Sequence, residues 1–229
     1  MQEFKQNRKP WTNRLLIKTR FMANTENTNE IHRGFHFITL NVVDWVDVFI
    51  RPVYKQIIVH SLNYFSENKG LNIYAWCLMT NHLHMIASAN EGSSLHEIEK
   101  ELKKFTTQKI LEDISVEPPK RLLWMMERFE NFSSTLGLIK KVQLWQTCTN
   151  PIYINAQKPE QLVEQIEYIH ENPVRDRIVT TAEDYLYSSA RDYAGMKGLV
   201  NIVKIPMIVK QISAAENVNG NFFRKYIRN

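Results

Sequence analysis

The chain has 229 residues, 44% apolar and 23% charged, with a formal net charge of +5. Those proportions suit a globular domain with a real core and exclude a disordered or fibrous chain. No apolar run approaches the length needed to span a bilayer, so no membrane partner is expected. The basic excess favours a polyanionic partner without proving one.

Residues 1–33 are polar and basic and read as a flexible N-terminal arm, with a short helix near 11–21. Residues 34–43 alternate like a strand. Residues 51–68 carry Val53, Ile57, Ile58, Leu62 and Phe65 at helical spacing, and Lys69-Gly70 closes that helix. Residues 71–79 and 82–88 predict two antiparallel strands joined across Thr80-Asn81. Ser93 or Ser94 caps a second helix, with Glu97 completing a capping box after Ser94. That helix runs to about residue 114 on Leu95, Ile98, Leu102, Phe105 and Ile110. Pro118-Pro119 breaks the chain, and 120–141 reads as a mixed, partly helical surface insertion. Residues 144–154 suit a strand with an irregular lead-in. Pro159 opens a helix on Leu162, Ile166 and Ile169, and Pro173 is expected to stop it. Residues 182–196 predict one more short helix. The mixture without strict βαβ alternation indicates an α+β layered domain with an antiparallel sheet. The expected layout is the arm at 1–33, one domain at 34–198 with an insertion at about 113–143, and a tail at 199–229. The only cysteines, Cys77 and Cys148, lack metal-type spacing and are expected reduced. With the polar start Met1-Gln2-Glu3-Phe4-Lys5, they point to a cytoplasmic protein.

The chemistry concentrates in two places. In Asn81-His82-Leu83-His84 the histidines are two residues apart, so on a strand both imidazoles project from one face while Leu83 packs on the other. Two imidazoles on a rigid strand are a ready ligand pair for a divalent ion. On the Pro159 helix, Tyr168 and Asn172 are four apart and share a face, with Glu164 one turn earlier. An amide oxygen from Asn172 would complete a metal site, with the Tyr168 phenol aimed at what the metal holds. A free phenol, with a pKa of about 10, needs a nearby cation to attack at neutral pH. Nitrogen and amide ligands with water suit Mg²⁺ or Mn²⁺.

Each residue also has a plainer reading. The histidines alone are two half-buried polar residues of a strand. Tyr168 alone is a helix residue with a wet hydroxyl, and Asn172 alone is a helix-end residue before Pro173. His170 lies about 200° around the helix from Tyr168 and faces away; Glu164 reads as solvated. Among basic residues, Lys103 and Lys104 are DNA-facing candidates, balanced against an ordinary solvated face. Arg175 and Arg177 follow the tyrosine helix and suit backbone phosphates. Trp145 and Gln146 are candidates to line a DNA path, against a buried tryptophan as the default.

Asn81-His82-Leu83-His84 resembles the HUH motif. Tyr168-Ile169-His170-Glu171-Asn172-Pro173-Val174 is similar to the second signature of the REP-associated tyrosine transposases, in the single-tyrosine HUH (IS200-like) superfamily. Leu144-Trp145-Gln146 and Asp184-Tyr185-Leu186-Tyr187-Ser188-Ser189-Ala190-Arg191-Asp192-Tyr193 resemble further landmarks of that family, so the likeness spans roughly 35–198. The resemblance implies a ferredoxin-like or RNA-recognition-like sheet with the histidine pair on a central strand. It implies metal ligands at His82, His84 and Asn172, and metal-dependent cleavage and strand transfer of single-stranded, hairpin-bearing DNA. Tyr168 would form a 5′-phosphotyrosine and free a 3′-OH. A monomer is expected, with a dimer as the alternative. Two rivals stand beside this reading: an HUH nicking endonuclease of replication or mobilisation type, and a domesticated, non-catalytic hairpin-binding protein. The arm before Gly34 has no counterpart in the family pattern.

Overall fold

The computed structural model describes residues 34–135, 142–147, 149–155 and 157–205. In chain order it contains β1 (Phe35–Asn41), α1 (Pro52–Asn68), β2 (Leu71–Leu78), β3 (His82–Ala89), α2 (Leu95–Asp113), α3 (Pro119–Thr135), β4 (Ile152–Ile154), α4 (Pro159–Arg175) and α5 (Ala190–Tyr193). The strands form one sheet in the order β2-β3-β1-β4, and every neighbouring pair is antiparallel. The succession β1-α1-β2-β3-α2-β4 with β3 and β1 inside is the ferredoxin-like arrangement. The histidine pair therefore does lie on a central strand.

Pleating sends alternate side chains to opposite faces. Leu83, Met85 and Ala87 of β3 and Ile38 and Leu40 of β1 join Ile58, Leu62, Leu102 and Ile110 of α1 and α2 in the larger core. On the other face Phe37, Cys77 and Ile86 pack with Leu162, Ile166 and Ile169 of α4. Each large apolar side chain so buried stabilises the fold by about 1.5–3 kcal/mol. A one-residue slip of β3 would exchange the two faces, so packing locks the register that sets Thr39 opposite His84 and Asn41 opposite His82.

Local signals hold at the expected ends. Ser94 Oγ accepts the Glu97 backbone N–H at 3.4 Å, and Gly70 adopts φ +73° just past α1. Four expectations change. The 120–141 segment is not a mixed surface piece over its described part: α3 is a regular helix, and Met125 and Phe129, one turn apart, are fully buried. Pro173 does not stop α4, which continues to Arg175. Proline at 173 cannot serve the Ile169 carbonyl four residues back, but the Asn172 side-chain Nδ2 donates to Tyr168 O (2.7 Å) and Ile169 O (3.5 Å). Among the described residues of 144–154 the strand after the irregular lead-in is shorter than expected: β4 spans three residues, and an isolated bridge joins Trp145 to Val42. Residues 182–196 give a turn of 3₁₀ helix at Ala182–Asp184 and the four-residue α5. A longer helix is prevented because Ser188 bridges to Cys77 and Ser189 binds Trp76 through backbone and hydroxyl.

The arm at 1–33, Cys148 and the tail from 206 lie outside the described residues. Cys77 is buried and free, its thiol pushed up to about 12 by burial. No described helix is long and apolar enough to cross a membrane.

Candidate active site

β3 presents His82 and His84 on the face that meets α4, with ring centroids 4.6 Å apart. Their tautomers follow from their neighbours. Asn81 Nδ2 donates to Asp47 Oδ1 (3.0 Å) and to Trp45 O (3.4 Å), both acceptors, which orients the amide. Asn81 Oδ1 then faces His82 Nδ1 at 2.8 Å and must accept from it. His82 Nδ1 carries the proton and Nε2 keeps its lone pair. His84 Nδ1 pairs with Thr39 Oγ1 at 2.8 Å, across the β1–β3 register. No hydrogen bond among the described residues uses Nε2 of either ring.

Both rings are held neutral. Burial lowers the His82 pKa to about 4, against the opposing pull of Asp47. Burial, then the neighbouring His82, lowers His84 to about 3. A neutral imidazole whose other nitrogen is tied to an oxygen is the state in which histidine binds a metal. No three His, Cys, Asp or Glu side chains cluster among the described residues. Among the described residues, a third protein donor to this pair would be of another type.

α4 brings Tyr168 to this pair. Its ring lies 5.6 Å from the His84 ring and 5.9 Å from Phe37, both edge-on. Ile166 and Ile169 are fully buried against the sheet and fix the rotation of the helix. Arg175, two turns on, sets its guanidinium 4.9 Å from the centre of the Tyr168 ring. Asn172 stands one turn from Tyr168. Its Nδ2 donates to Tyr168 O and, at 3.5 Å, to the Ile169 carbonyl that Pro173 cannot serve, and its Oδ1 accepts no hydrogen bond among the described residues. No hydrogen bond or ring contact joins it to either imidazole. Neutral imidazole nitrogens and an amide oxygen are donor types that suit a divalent cation. His170 points away, as expected: it is buried, with Nε2 2.8 Å from Ser189 Oγ. Glu164 is exposed.

The predicted DNA-contacting residues divide. Arg175, Arg177 and Lys104 are exposed. Lys103 is tied inward, with Nζ 2.9 Å from Glu99 Oε1 and donating to Gln146 O and Thr149 Oγ1 at 3.2 Å. Trp145 is buried, stacks on Phe49 (5.5 Å) and donates its indole N–H to Thr106 Oγ1 (2.8 Å). Gln146 bonds to the Asn41 and Val42 carbonyls at the end of β1. Sequence reasoning gave no role to Thr39, Asp47 or Asn81. Thr39 and Asp47 are far from the histidines in sequence, and only strand register and loop packing bring them close.

The family model described as "Transposase IS200 like" matches residues 36–137, from β1 through both histidines to the end of α3; Tyr168 lies beyond it. Among solved structures, a REP-associated tyrosine transposase bound to a REP hairpin is similar at 18% identity and a TM-score of 0.49, over 76% of this chain and 89% of that one. A transposase-type protein from Deinococcus radiodurans R1 is similar at 13% identity and a TM-score of 0.36, over 63% of this chain and 97% of that one. No curated protein matches.

Proposed function

We propose that this chain, an IS200-like transposase by the match of residues 36–137, cleaves and rejoins single-stranded DNA with Tyr168 as nucleophile. The observation that carries the reading is the Tyr168 ring edge-on to His84 at 5.6 Å, beside two neutral imidazoles with free Nε2 atoms. A phenol, two imidazoles and an arginine together are the chemistry needed to engage one phosphate group.

His82, His84 and Asn172 are the residues that would hold Mg²⁺ or Mn²⁺. When bound, such an ion polarises a phosphate oxygen and offsets the charge that builds during displacement. The chain's own groups supply the rest. Arg175 braces the Tyr168 ring and brings a fixed positive charge to the phosphate. The Tyr168 oxygen attacks phosphorus and gives its proton to water. The bond from phosphorus to the 3′ oxygen breaks, and that oxygen leaves as a 3′-OH. The product is a 5′-phosphotyrosine. Attack by a 3′-OH on this link reforms a phosphodiester and releases the phenol. Exposed Arg177 and Lys104 suit flanking phosphates. Hairpin-bearing DNA is the substrate class that the sequence motifs suggest. Tyr168 meets His84 of its own chain, which favours a monomer; the cytoplasmic location and the domain at 34–198 rest on the sequence reading alone.

The test is incubation with a pool of hairpin-tipped oligonucleotides and Mn²⁺, with Tyr168→Phe beside the parent. The parent should acquire covalently attached DNA, and the variant should bind DNA without an adduct. A variant that still cuts removes Tyr168 as nucleophile. A parent that binds hairpins but never cuts supports the non-catalytic alternative. Nicking without rejoining supports the endonuclease.

A further inference from the structure

Trp45 is the large aromatic nearest the imidazole pair that packing does not explain. It is 56% exposed, yet its ring centroid lies 6.2 Å from that of His82. Its backbone sits at φ +55°, directly after Asp44 at φ +51°. Two successive non-glycine residues in the left-handed region are rare, and for a bulky side chain the conformation is strained. Glycine or asparagine would form this turn at less cost, so the turn itself gives no reason for an indole.

The surrounding chain holds the backbone that carries the indole. Trp45 N–H donates to Val42 O (3.2 Å), and its carbonyl accepts from Asn81 Nδ2, the same amide that orients His82. Asp44 is ion-paired to Arg128 of α3, and Arg121 of α3 donates to Asp47 O at 2.8 Å. The result is an exposed aromatic side chain carried on a held backbone beside His82, with the Asp44–Arg128 pair and Arg121 nearby and Trp124 of α3 against Arg128. That setting suits a planar base carrying its own phosphate better than an apolar protein surface. A base inside a duplex has both faces covered, so the ligand must be unpaired.

We propose that Trp45 is a stacking platform for one unpaired nucleobase beside the phosphate held at His82 and His84. This rests on the single-strand cleavage reading above and extends it by assigning a nucleotide-binding position.

The test uses the full chain carrying Tyr168→Phe, without metal, so that no cleavage interferes. The probe is the hairpin that the parent chain selects from a pool with randomised single-stranded flanks. 2-Aminopurine is then placed at each flank position in turn. Stacking should quench the fluorophore at one position with Trp45 present. Trp45→Ala and Trp45→Gly should abolish the quench and weaken binding about 5- to 100-fold, while Trp45→Phe should retain most of both. Because glycine relieves the left-handed strain, Trp45→Gly should melt no lower than its parent. A merely structural tryptophan would show the reverse: lower melting and unchanged affinity per folded molecule. Retained quench and affinity in Trp45→Gly, or its earlier melting, overturns the proposal, as does a parent that selects no hairpin. The covalent adduct in the Tyr168-containing chain scores the cleavage reading separately. An adduct that forms normally in Trp45→Gly, with affinity unchanged, would reject the platform and leave Tyr168 standing.

Discussion

The guanidinium of Arg175 lies 4.9 Å from the centre of the Tyr168 ring, two helical turns along α4. Stacking of this kind restrains the phenol and keeps a permanent cation beside it. Arg175→Ala should slow adduct formation about tenfold or more and lower the salt dependence of DNA affinity by about one phosphate contact. Arg175→Lys should keep the salt slope but recover only part of the rate, because an ammonium lacks the planar face. Single-turnover adduct kinetics and a salt titration of affinity separate the two effects.

Metal binding should stabilise the fold by mass action. At 100 times its dissociation constant, Mn²⁺ should add about 2.7 kcal/mol, which for a chain of this size raises Tm by roughly 5–10 °C. His84→Ala should abolish that rise. Asn81→Ala should weaken it about 10- to 100-fold in affinity, because His82 loses the partner that fixes its tautomer. Nitrogen NMR on the metal-free protein gives a second readout: the His82 proton should reside on Nδ1 in the parent and redistribute in Asn81→Ala. A parent whose Tm ignores Mn²⁺ and Mg²⁺ would count against these ligands.

Lys103 and Lys104 should behave oppositely although they adjoin. Lys103 neutralises Glu99, which is only 4% exposed. Lys103→Ala therefore leaves a buried carboxylate without its cation and should cost about 3 kcal/mol of stability, with little change in DNA affinity per folded molecule. Lys104→Ala should leave stability within about 0.5 kcal/mol. Any effect it has should appear in the salt slope of DNA binding. Denaturant melts and binding titrations on the two variants decide this.

Acid should unfold the protein through its neutral histidines. Burial lowers His170 from 6.5 to about 3, alongside His82 at about 4 and His84 at about 3. Below pH 6.5 the unfolded chain takes up protons that the folded chain refuses, so stability falls with pH and levels off only near pH 3–4. For His170 alone the loss by pH 5 is on the order of 1–2 kcal/mol. A Tm series from pH 7.5 to 5 should decline, and His170→Gln should flatten it. Equal slopes in parent and variant would show that His170 ionises freely in the fold.

Much of the architecture was legible because its signals are local. The i, i+2 spacing of His82 and His84 needs only a strand to put both rings on one face, and Leu83 does pack on the other. The Ser94 cap, the Gly70 terminator and the apolar stripe of α4 act within a few residues of themselves. Tyr168 and Asn172 could be paired by helical period alone. The extra reach of α4 past Pro173 was not legible, because it depends on a side-chain amide replacing a backbone donor. The burial of Met125 and Phe129 was hidden for a similar reason: an amphipathic stripe shows that a face is apolar, not what will cover it.

The sequence by itself determined the residue types of the site and the faces of β3 and α4 that carry them, because pleat and helical period are properties of the backbone. Only the tertiary structure decided that Tyr168 meets His84, that Asn81 and Thr39 tie up the two Nδ1 atoms, and that Lys103 and Trp145 turn inward. Those outcomes depend on strand register and on which helix covers which sheet face. Both are settled by burying apolar surface across long sequence separations, a sum over many contacts that no local stretch of chain contains.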